Sequence, residues 1–348
     1  MMTRFLVVFG IFFFSVSGYA QEKKYTVACI GFYNVENYFD LIDHPEKRDE
    51  DFTPEGELLY TREVFVEKTA NLAKVISEIG TEYSPDGLAI LGLSEIENRS
   101  VIDTLVAHPL LRDRRYEVVH HESPDFRGID VGLIYNPKYF ELISSRSVPL
   151  LIYREDSSRI YTRDVLLVSG RLDGDLLHIM VNHWPSRRGG EKATQPLRNA
   201  GAALCRHLAD SLRSADPSAR VLIMGDLNDD PVSPSVKSVL RAKPKAQQLH
   251  DGDLYNPYFE YFKKGIGTGA YRDAWSLFDQ IILSDNLVTP DSPGYRLYKA
   301  NIFSRPYMIQ RTGQFRGYPF RTYSFGTYIG GYSDHFPVYV SLIKEITP

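Results

Sequence analysis

Residues 221–228, with the sequence VLIMGDLN, give the strongest indication of the fold class of this chain. The first four residues form a short, apolar, β-branched run, which predicts a buried strand. Gly225 lets the backbone turn sharply after that strand, so that Asp226 and Asn228 face the same space. Ligand sites of α/β proteins gather where strands end. The stretch therefore predicts an α/β fold with a polar site at a strand end, although an ordinary Asx turn also suits these residues.

Polar side chains flank three further predicted strands in the same way. They are Asn34 and Glu36 after residues 25–33, Glu95 after residues 88–93, and Asp334 and His335 before residues 337–342. Carboxylate and amide oxygens that converge without cysteine favour a hard divalent cation over a structural zinc. The sequence therefore predicts a site for Mg²⁺, with Mn²⁺ or Ca²⁺ as alternatives.

Periodicity and composition predict the rest of the chain. The predicted elements are helices over 61–79, 195–215 and 236–241, strands at 131–135, 165–168, 176–181 and 278–283, and long loops at 251–275 and 291–331. The loops are rich in Gly, Pro, Tyr and Phe, and long loops in compact domains are often functional. No internal repeat is visible, so we expect residues 21–348 to form one large domain.

The composition excludes several classes of protein. The chain has 348 residues, of which 43% are hydrophobic and 24% charged, so it is neither disordered nor collagen-like. Its formal net charge of −4 gives no basic surplus for coating nucleic acid through phosphate contacts alone. An anionic substrate must therefore be bound by a few local groups.

Residues 1–20 predict a cleavable secretory signal peptide. Arg4 precedes an apolar run that ends before small residues, and polar residues follow from Gln21. An uncleaved anchor is the alternative, but the run is shorter than the ~20 residues that span a bilayer. We expect a secreted or periplasmic protein without stable membrane insertion. Export permits a disulfide between Cys29 and Cys205, although buried apolar packing is the favoured interpretation for both.

Six strings taken together are more specific than any one of them. They are FYNVEN with Asn34 and Glu36, GLSE with Glu95, VNHWP with His183, GDLN with Asp226 and Asn228, FDQ with Asp279, and SDHFP with Asp334 and His335. Their order resembles the endonuclease/exonuclease/phosphatase superfamily, whose members are deoxyribonuclease-I-like, and among these the secreted bacterial nuclease-like proteins. The resemblance covers residues 25–342 and implies a four-layer α/β sandwich of two packed mixed β-sheets flanked by helices.

The resemblance also implies a role for each residue. Glu95, Asn34, Glu36 and Asp334 resemble the metal-binding set. Asp226 and Asn228 resemble the pair that positions the attacking water and the phosphate. His335 resembles the general base, Asp279 the carboxylate that orients it, and His183 a histidine that stabilises or protonates the leaving side. One departure is Glu97, where several nucleases have a basic residue, which weakens a transfer of DNA-repair specificity.

Other residues allow two interpretations each. Arg127 and Arg187 suit contact with a substrate phosphate, or are solvated loop charges. His183 also suits a cap at a strand end. Glu97 is either a polar residue that orients groups near the metal or an exposed one. The aromatic residues at 255–262 stack on bases or lipid, or form a small core under a long loop.

The leading hypothesis is a secreted, divalent-metal-dependent phosphodiesterase that acts on nucleic acid. The alternative is the same chemistry on a phospholipid, sphingolipid or small phosphate ester. A third hypothesis is a non-catalytic binding protein on the same fold. The sequence leaves open DNA or RNA, endo- or exo-cleavage, one metal or two, and the oligomeric state, and it indicates no protein partner.

Overall fold

The computed structural model of the chain describes residues 24–290 and 292–346, so the predicted signal peptide, residues 1–20, lies outside it. The strands are β1 Tyr25–Tyr38, β2 Leu88–Ile96, β3 Glu117–His120, β4 Asp130–Tyr135, β5 Phe140–Val148, β6 Ile152–Tyr153, β7 Arg159–Ile160, β8 Val165–Leu172, β9 Asp175–His183, β10 Arg220–Asp226, β11 Ala242–Lys243, β12 Leu254–Tyr255, β13 Gly269–Tyr271, β14 Ala274–Ser276, β15 Asp279–Ser284, β16 Arg296–Ile302, β17 Tyr323–Ser324, β18 Thr327–Tyr328 and β19 Val338–Glu345. The helices are α1 Arg62–Glu78, α2 Arg99–Val106, α3 Glu191–Ala215 and α4 Phe259–Lys263. A short π-helix spans Ser235–Val239, and single 3₁₀ turns occur at Glu50–Phe52, Arg112–Arg114, Ala246–Gln248, Asp285–Leu287 and Pro306–Met308.

Two mixed sheets form the centre of the molecule. The first has the strand order β16-β19-β1-β2-β4-β3, and the second has the order β11-β12-β15-β10-β9-β8-β5. Within each sheet one central pair is parallel, β1 with β2 and β9 with β10. These parallel strands therefore end at the same edge of their sheet.

The sheets pack face to face and helices cover their outer faces. Ile30 and Phe32 of the first sheet share a buried cluster with Ile179 and Leu222 of the second. Each such side chain stabilises the fold by roughly 1.5–3 kcal/mol when fully buried. Helices α1 and α2 cover the outside of the first sheet, and α3 covers the outside of the second. The predicted four-layer sandwich is confirmed.

The helices begin and end where local chemistry favours it. The Thr61 hydroxyl accepts a hydrogen bond from the Val64 N–H at the start of α1, and Gly80, with φ +77°, follows its end. The Asn98 side chain caps α2 through the N–H groups of Ser100 and Val101. The two sequence-predicted boundaries of α1 are thus within one residue of the structure.

Neither of the two predicted loops is a single loop. Residues 251–275 contain β12, α4 and β13, and β14 begins at Ala274. Residues 291–331 contain β16, an edge strand of the first sheet, and a β17–β18 hairpin, so they are not a single long loop. In residues 251–275, Tyr258 is fully buried, and Tyr255, Tyr261 and Phe262 pack against the central core. These aromatic residues are packing residues, as in the second of the two interpretations, but they join the central core and do not form a separate small one.

Both cysteines are free and buried. Cys29 lies in β1, on the face of the first sheet that packs against α1. Cys205 lies in α3 and packs against the second sheet. Burial raises the pKa of each thiol to about 12, as expected for apolar packing residues. Among the described residues, no helix is long and apolar enough to cross a membrane.

Candidate active site

The second sheet places three of the predicted residues side by side. Asp226 ends β10, and its register partners are His183 at the end of β9 and Asp279 at the start of β15. All three side chains are buried. Strand pairing therefore fixes their spacing independently of any loop.

The first sheet contributes Asn34 and Glu95 from the ends of β1 and β2. The Asn34 amide nitrogen donates to Asp226 Oδ2 across the two sheets, at 3.1 Å. Glu95 Oε1 lies 3.8 Å from His183 Nε2, and Glu95 Oε2 accepts a hydrogen bond from the Asn37 N–H. The two sheets thus meet at one polar centre at their shared edge.

The backbone is strained around this centre. Glu36, Glu95 and Asn228 have φ of 52°, 61° and 49°, in the left-handed region that residues other than glycine seldom adopt. A Cβ on Gly225 would approach the Asn182 carbonyl oxygen to 2.2 Å, so this position requires glycine. Such conformations persist where the surrounding structure fixes them, and they cluster at functional sites.

His335 is held in a single orientation. Its Nδ1 lies 2.7 Å from Asp279 Oδ2, and the Ser333 hydroxyl accepts from its backbone N–H while donating to the Asn34 carbonyl. The ring's Nε2 faces Asp226 and Asp334, with oxygens at 3.9 Å. Burial alone would lower the pKa of His335, but Asp279, followed by Asp334 and Asp226, raises it well above the usual value. The imidazole is arranged to accept and keep a proton at Nε2.

His183 has the opposite electrostatics. Its Nε2 lies 3.6 Å from Asp226 Oδ2, and its buried Nδ1 has no hydrogen-bond partner. Burial, and after it the charges of Arg163 and Arg127, lower the pKa of His183 well below the usual value. A neutral imidazole can donate one hydrogen bond but is a poor acid. The lowered pKa therefore makes His183 a hydrogen-bond donor rather than an acid.

Asn228 and Asn34 both donate hydrogen bonds to Asp226. The Asn228 N–H donates to Asp226 Oδ1, and the Asn228 side chain donates to the Trp184 carbonyl. The Asn34 Oδ1 accepts from the Glu36 N–H while its nitrogen binds Asp226. Asn34 therefore bridges the two sheets, and only a remaining lone pair of Oδ1 could serve a metal.

Glu36 and Asp334 lie on the side of the site nearest α1. The Glu36 carboxylate accepts the Thr322 N–H at 2.7 Å, and Asp334 Oδ2 accepts from Arg321 at 3.1 Å. Burial, and then the charge of Asp334, raises the pKa of Glu36 to about 7. The site opens to solvent at Asp334, whose side chain is 32% exposed.

The donor set fits a hard divalent cation. Burial raises the pKa of Asp226 to about 6, with Asp279 adding to the effect, so several carboxylates repel one another here. A bound cation would relieve that repulsion. Glu95, Glu36 and Asp334 supply carboxylate oxygens of the kind that Mg²⁺, Mn²⁺ and Ca²⁺ take. Within the described residues, however, the potential ligand atoms of this centre that lie within 4.8 Å of one another belong to Asp226, Asp279 and His335, and Glu95, Glu36 and Asp334 do not form such a group.

The other predicted residues separate into different environments. The guanidinium of Arg187 binds Asp229, Asp230 and the Asn228 carbonyl, so it is already engaged within the protein. Arg127 is 45% exposed, lies 3.8 Å from Asp125, and acts on His183 electrostatically. Glu97 is buried and accepts the Asp40 N–H, so its interpretation as an exposed residue is wrong.

Sequence reasoning missed Lys68, Thr322 and Arg163. Lys68 is wholly buried in α1, donates to the Thr322 hydroxyl at 2.6 Å, and acts electrostatically on Glu36. Burial lowers its pKa to about 8. A signal was present, because Lys68 occupies the apolar stripe of α1 four residues after Val64. Arg163, which donates to Asp125 and to the Trp184 carbonyl beside His183, carries no such signal.

Comparison with known proteins agrees with this geometry. A model of the endonuclease/exonuclease/phosphatase family matches residues 29–344, and the chain belongs to that family. No curated protein matches the sequence significantly.

Three similar solved structures have the same fold. They are D. rerio TDP2 complexed with a single-strand DNA product (TM-score 0.55, 14% identity, covering 91% of this chain and 99% of that one), the human Nocturnin catalytic domain with bound sulfate (0.54, 15%, 93% and 98%), and the Bacteroides thetaiotaomicron mannosyl-6-phosphatase Bt3783 (0.53, 14%, 90% and 99%). At these identities the likeness concerns the fold alone.

Proposed function

We propose that this protein is a divalent-metal-dependent phosphodiesterase that hydrolyses nucleic acid, with His335 activating the attacking water. The observation that carries the proposal is the His335–Asp279 pair, whose free Nε2 faces the carboxylates gathered at the joint end of both sheets. Family membership supports phosphoester hydrolysis as the reaction class.

In this mechanism Nε2 of His335 takes a proton from water while the water oxygen forms its bond to phosphorus. The bond from phosphorus to the leaving oxygen breaks in line with the attack, and the leaving oxygen keeps the bonding electrons and takes a proton from solvent. Asp279 keeps the proton on Nδ1 in the neutral ring, so that Nε2 is free to accept, and it stabilises the imidazolium that forms. Asp226 and the amide of Asn228 position the water and the phosphate.

In this mechanism, hydrogen-bond donors lie on the side of the phosphate opposite the attacking water. His183, neutral because of its burial and its cationic neighbours, can donate from Nε2 to a phosphoryl or leaving oxygen. Arg127 is the exposed arginine close enough to influence His183, and it can contact a non-bridging oxygen. Glu95, Glu36 and Asp334 would hold the cation. When bound, that cation stabilises charge on the phosphoryl oxygens.

Nucleic acid is the proposed substrate, supported by the TDP2 structure, which was solved with a single-strand DNA product. The predicted signal peptide at residues 1–20 supports action outside the cytoplasm, in the medium or the periplasm. The acidic net charge of −4 agrees with substrate binding through a few local cations.

A small phosphate ester is the second candidate substrate. Trp275 and Phe336, the residue that follows His335 in the chain, border a pocket of about 330 Å³ that is large enough for a compact organic group, although none of the candidate site residues lines it. Bt3783, which shares the fold, is a mannosyl-6-phosphatase.

A panel of phosphoesters separates these candidates. We would test single- and double-stranded DNA, RNA, mannose 6-phosphate, sphingomyelin and bis(p-nitrophenyl) phosphate with Mg²⁺, Mn²⁺ or Ca²⁺, using wild type, His335→Ala and the exposed control His250→Ala. We expect cleavage of nucleic acid, unchanged in His250→Ala and reduced at least about 10²-fold in His335→Ala. Release of phosphate from mannose 6-phosphate alone would favour the second candidate. No turnover of any ester, or full activity of His335→Ala, would refute the proposal.

A further inference from the structure

The segment that leads into Asp334 and His335 differs in charge from the rest of the chain. Residues 292–333 contain no Asp or Glu and six basic residues, in a chain whose formal net charge is −4. Aromatic residues alternate with these basic ones. The basic residues are Arg296, Lys299, Arg305, Arg311, Arg316 and Arg321.

Three aromatic rings from this segment continue a series that starts at Trp275, outside the segment and beside the residue that follows His335. Trp275 stacks on Phe336, the neighbour of His335, with ring centres 6.1 Å apart. Tyr318 lies 6.3 Å from Trp275, Phe315 lies 5.7 Å from Tyr318, and Phe325 stacks on Phe315 at 5.6 Å. We call Trp275, Tyr318, Phe315 and Phe325 the aromatic ladder.

Cations accompany the ladder along its length. Arg321 lies over the Phe315 ring at 5.6 Å and also donates to Asp334 Oδ2. Arg311 and Arg316 are exposed in the loop that carries Phe315. The ladder and the hydrolytic centre are therefore connected through one side chain, Arg321, and through the pair of rings at Phe336.

The outer end of the ladder does not behave as a packed core. Phe325 is 83% exposed, and it adopts a φ of 50° at the tip of the β17–β18 hairpin. A phenylalanine in the left-handed region costs conformational energy, and an exposed ring regains little of it by burial. Packing within the fold therefore does not explain this residue.

We infer that the aromatic ladder binds single-stranded nucleic acid and leads it to His335, an inference that rests on the proposed function. Rings that alternate with arginines suit an unpaired strand, because bases stack on the rings while arginines contact the phosphates. In a duplex each base already stacks on its neighbours and cannot reach the rings. The cations of this segment would also allow an anionic polymer to bind to a chain whose net charge is negative.

Two double variants test the inference. Arg316→Ala/Phe325→Ala removes an exposed cation and the outermost ring. Tyr298→Ala/Lys299→Ala is the matched control, since it removes an exposed ring and an exposed cation from β16 in the same acid-free segment. For each protein, kcat/KM is measured on a 12-nucleotide single strand, on the same sequence as a duplex, and on bis(p-nitrophenyl) phosphate, which is too short to reach Phe325.

We expect wild type to favour the single strand over the duplex. In the ladder variant, the ratio of kcat/KM on the single strand to that on bis(p-nitrophenyl) phosphate should fall about ten- to a hundredfold, mostly through KM. The control should keep the wild-type ratio, and melting temperatures check that both variants fold.

The possible failures are distinguishable. If wild type cleaves the single strand and the ladder variant keeps the wild-type ratio, the ladder inference is wrong while the proposed function stands. A preference for duplex overturns the inference in the same way. If wild type hydrolyses bis(p-nitrophenyl) phosphate but no nucleic acid, both the proposed substrate and the ladder inference are wrong.

Discussion

Replacing Asp279 with asparagine removes one negative charge from the proposed catalytic pair and puts an amide NH₂ in place of one carboxylate oxygen, which can hold His335 in the other tautomer. Asp279 is fully buried, its Oδ2 lies 2.7 Å from His335 Nδ1, and its Oδ1 has no hydrogen-bond partner. Asparagine has the same shape, so the pocket does not need to repack. The imidazolium that forms during water attack then loses its charged partner.

The expected loss follows from that geometry. A charge-assisted hydrogen bond that fixes a catalytic histidine contributes on the order of 10²- to 10⁴-fold to kcat, or roughly 3–5 kcal/mol of barrier. Asp279 is also the strongest of the charges that raise the pKa of His335. Because the neutral ring is the base, Asp279→Asn should move the acid limb of the pH–rate profile to lower pH while lowering the plateau.

Steady-state hydrolysis of bis(p-nitrophenyl) phosphate between pH 5 and pH 10, at saturating Mg²⁺, measures both effects. Asp113→Asn, at an exposed position, is the matched control. Melting curves establish that each variant is folded. A kcat within about threefold of wild type, together with an unmoved acid limb, would refute the role of this pair.

Three further predictions concern residues around the centre. Lys68→Met removes a buried cation that acts on Glu36, so the apparent affinity for Mg²⁺ should rise about tenfold by calorimetry, whereas a purely structural lysine would lower it. Burial raises the pKa of Glu97 to about 8, so the stability its protonated form provides below pH 4.5 is lost as the pH rises towards 8. The melting temperature of Glu97→Gln should therefore be several degrees above that of wild type at pH 9 and no higher than that of wild type at pH 4. An equal difference at both pH values would refute a raised pKa for the buried Glu97 carboxyl. Arg127→Ala should raise KM for phosphodiesters about tenfold with an unchanged melting temperature, and Arg187→Ala should lower the melting temperature. The reverse pattern would mean that Arg187 contacts the substrate and Arg127 stabilises the fold.

Strands buried on both faces were predictable from the sequence, and exposed strands were not. The runs at 88–93 and 221–224 are continuously apolar because each strand lies inside the sandwich, and the structure extends the first by three residues to Ile96 and the second to Arg220 and Asp226. Strand β5 carries mostly exposed residues such as Glu141, so neither an apolar run nor an alternating pattern marks it. Strand β16, at the edge of the first sheet, was hidden in the same way within a predicted loop.

The candidate site was predictable as a set of residues but not as an arrangement. The positions of Asp226 and Asp279 at strand ends could be predicted from the apolar runs beside them. The contact between Asn34 and Asp226 could not, because it joins two sheets and residues 192 positions apart in the chain. In the sequence Lys68 is one charged residue of an amphipathic helix, and only the fold shows that it lies close enough to Glu36 to interact with it electrostatically. Arg187 looked suited to phosphate, but Asp229 and Asp230 engage it within the protein.

In the proposed mechanism the carboxylates hold a divalent cation while His335 transfers the proton, and Mn²⁺ binding separates these two roles. Electron paramagnetic resonance titration should show Mn²⁺ bound to wild type and to His335→Ala, with binding weakened at least about tenfold in Glu95→Gln. Hydrolysis measured on the same samples should be lost in both variants. Unchanged Mn²⁺ binding in Glu95→Gln would refute the role of the carboxylates, and full hydrolysis by His335→Ala would refute the role of His335.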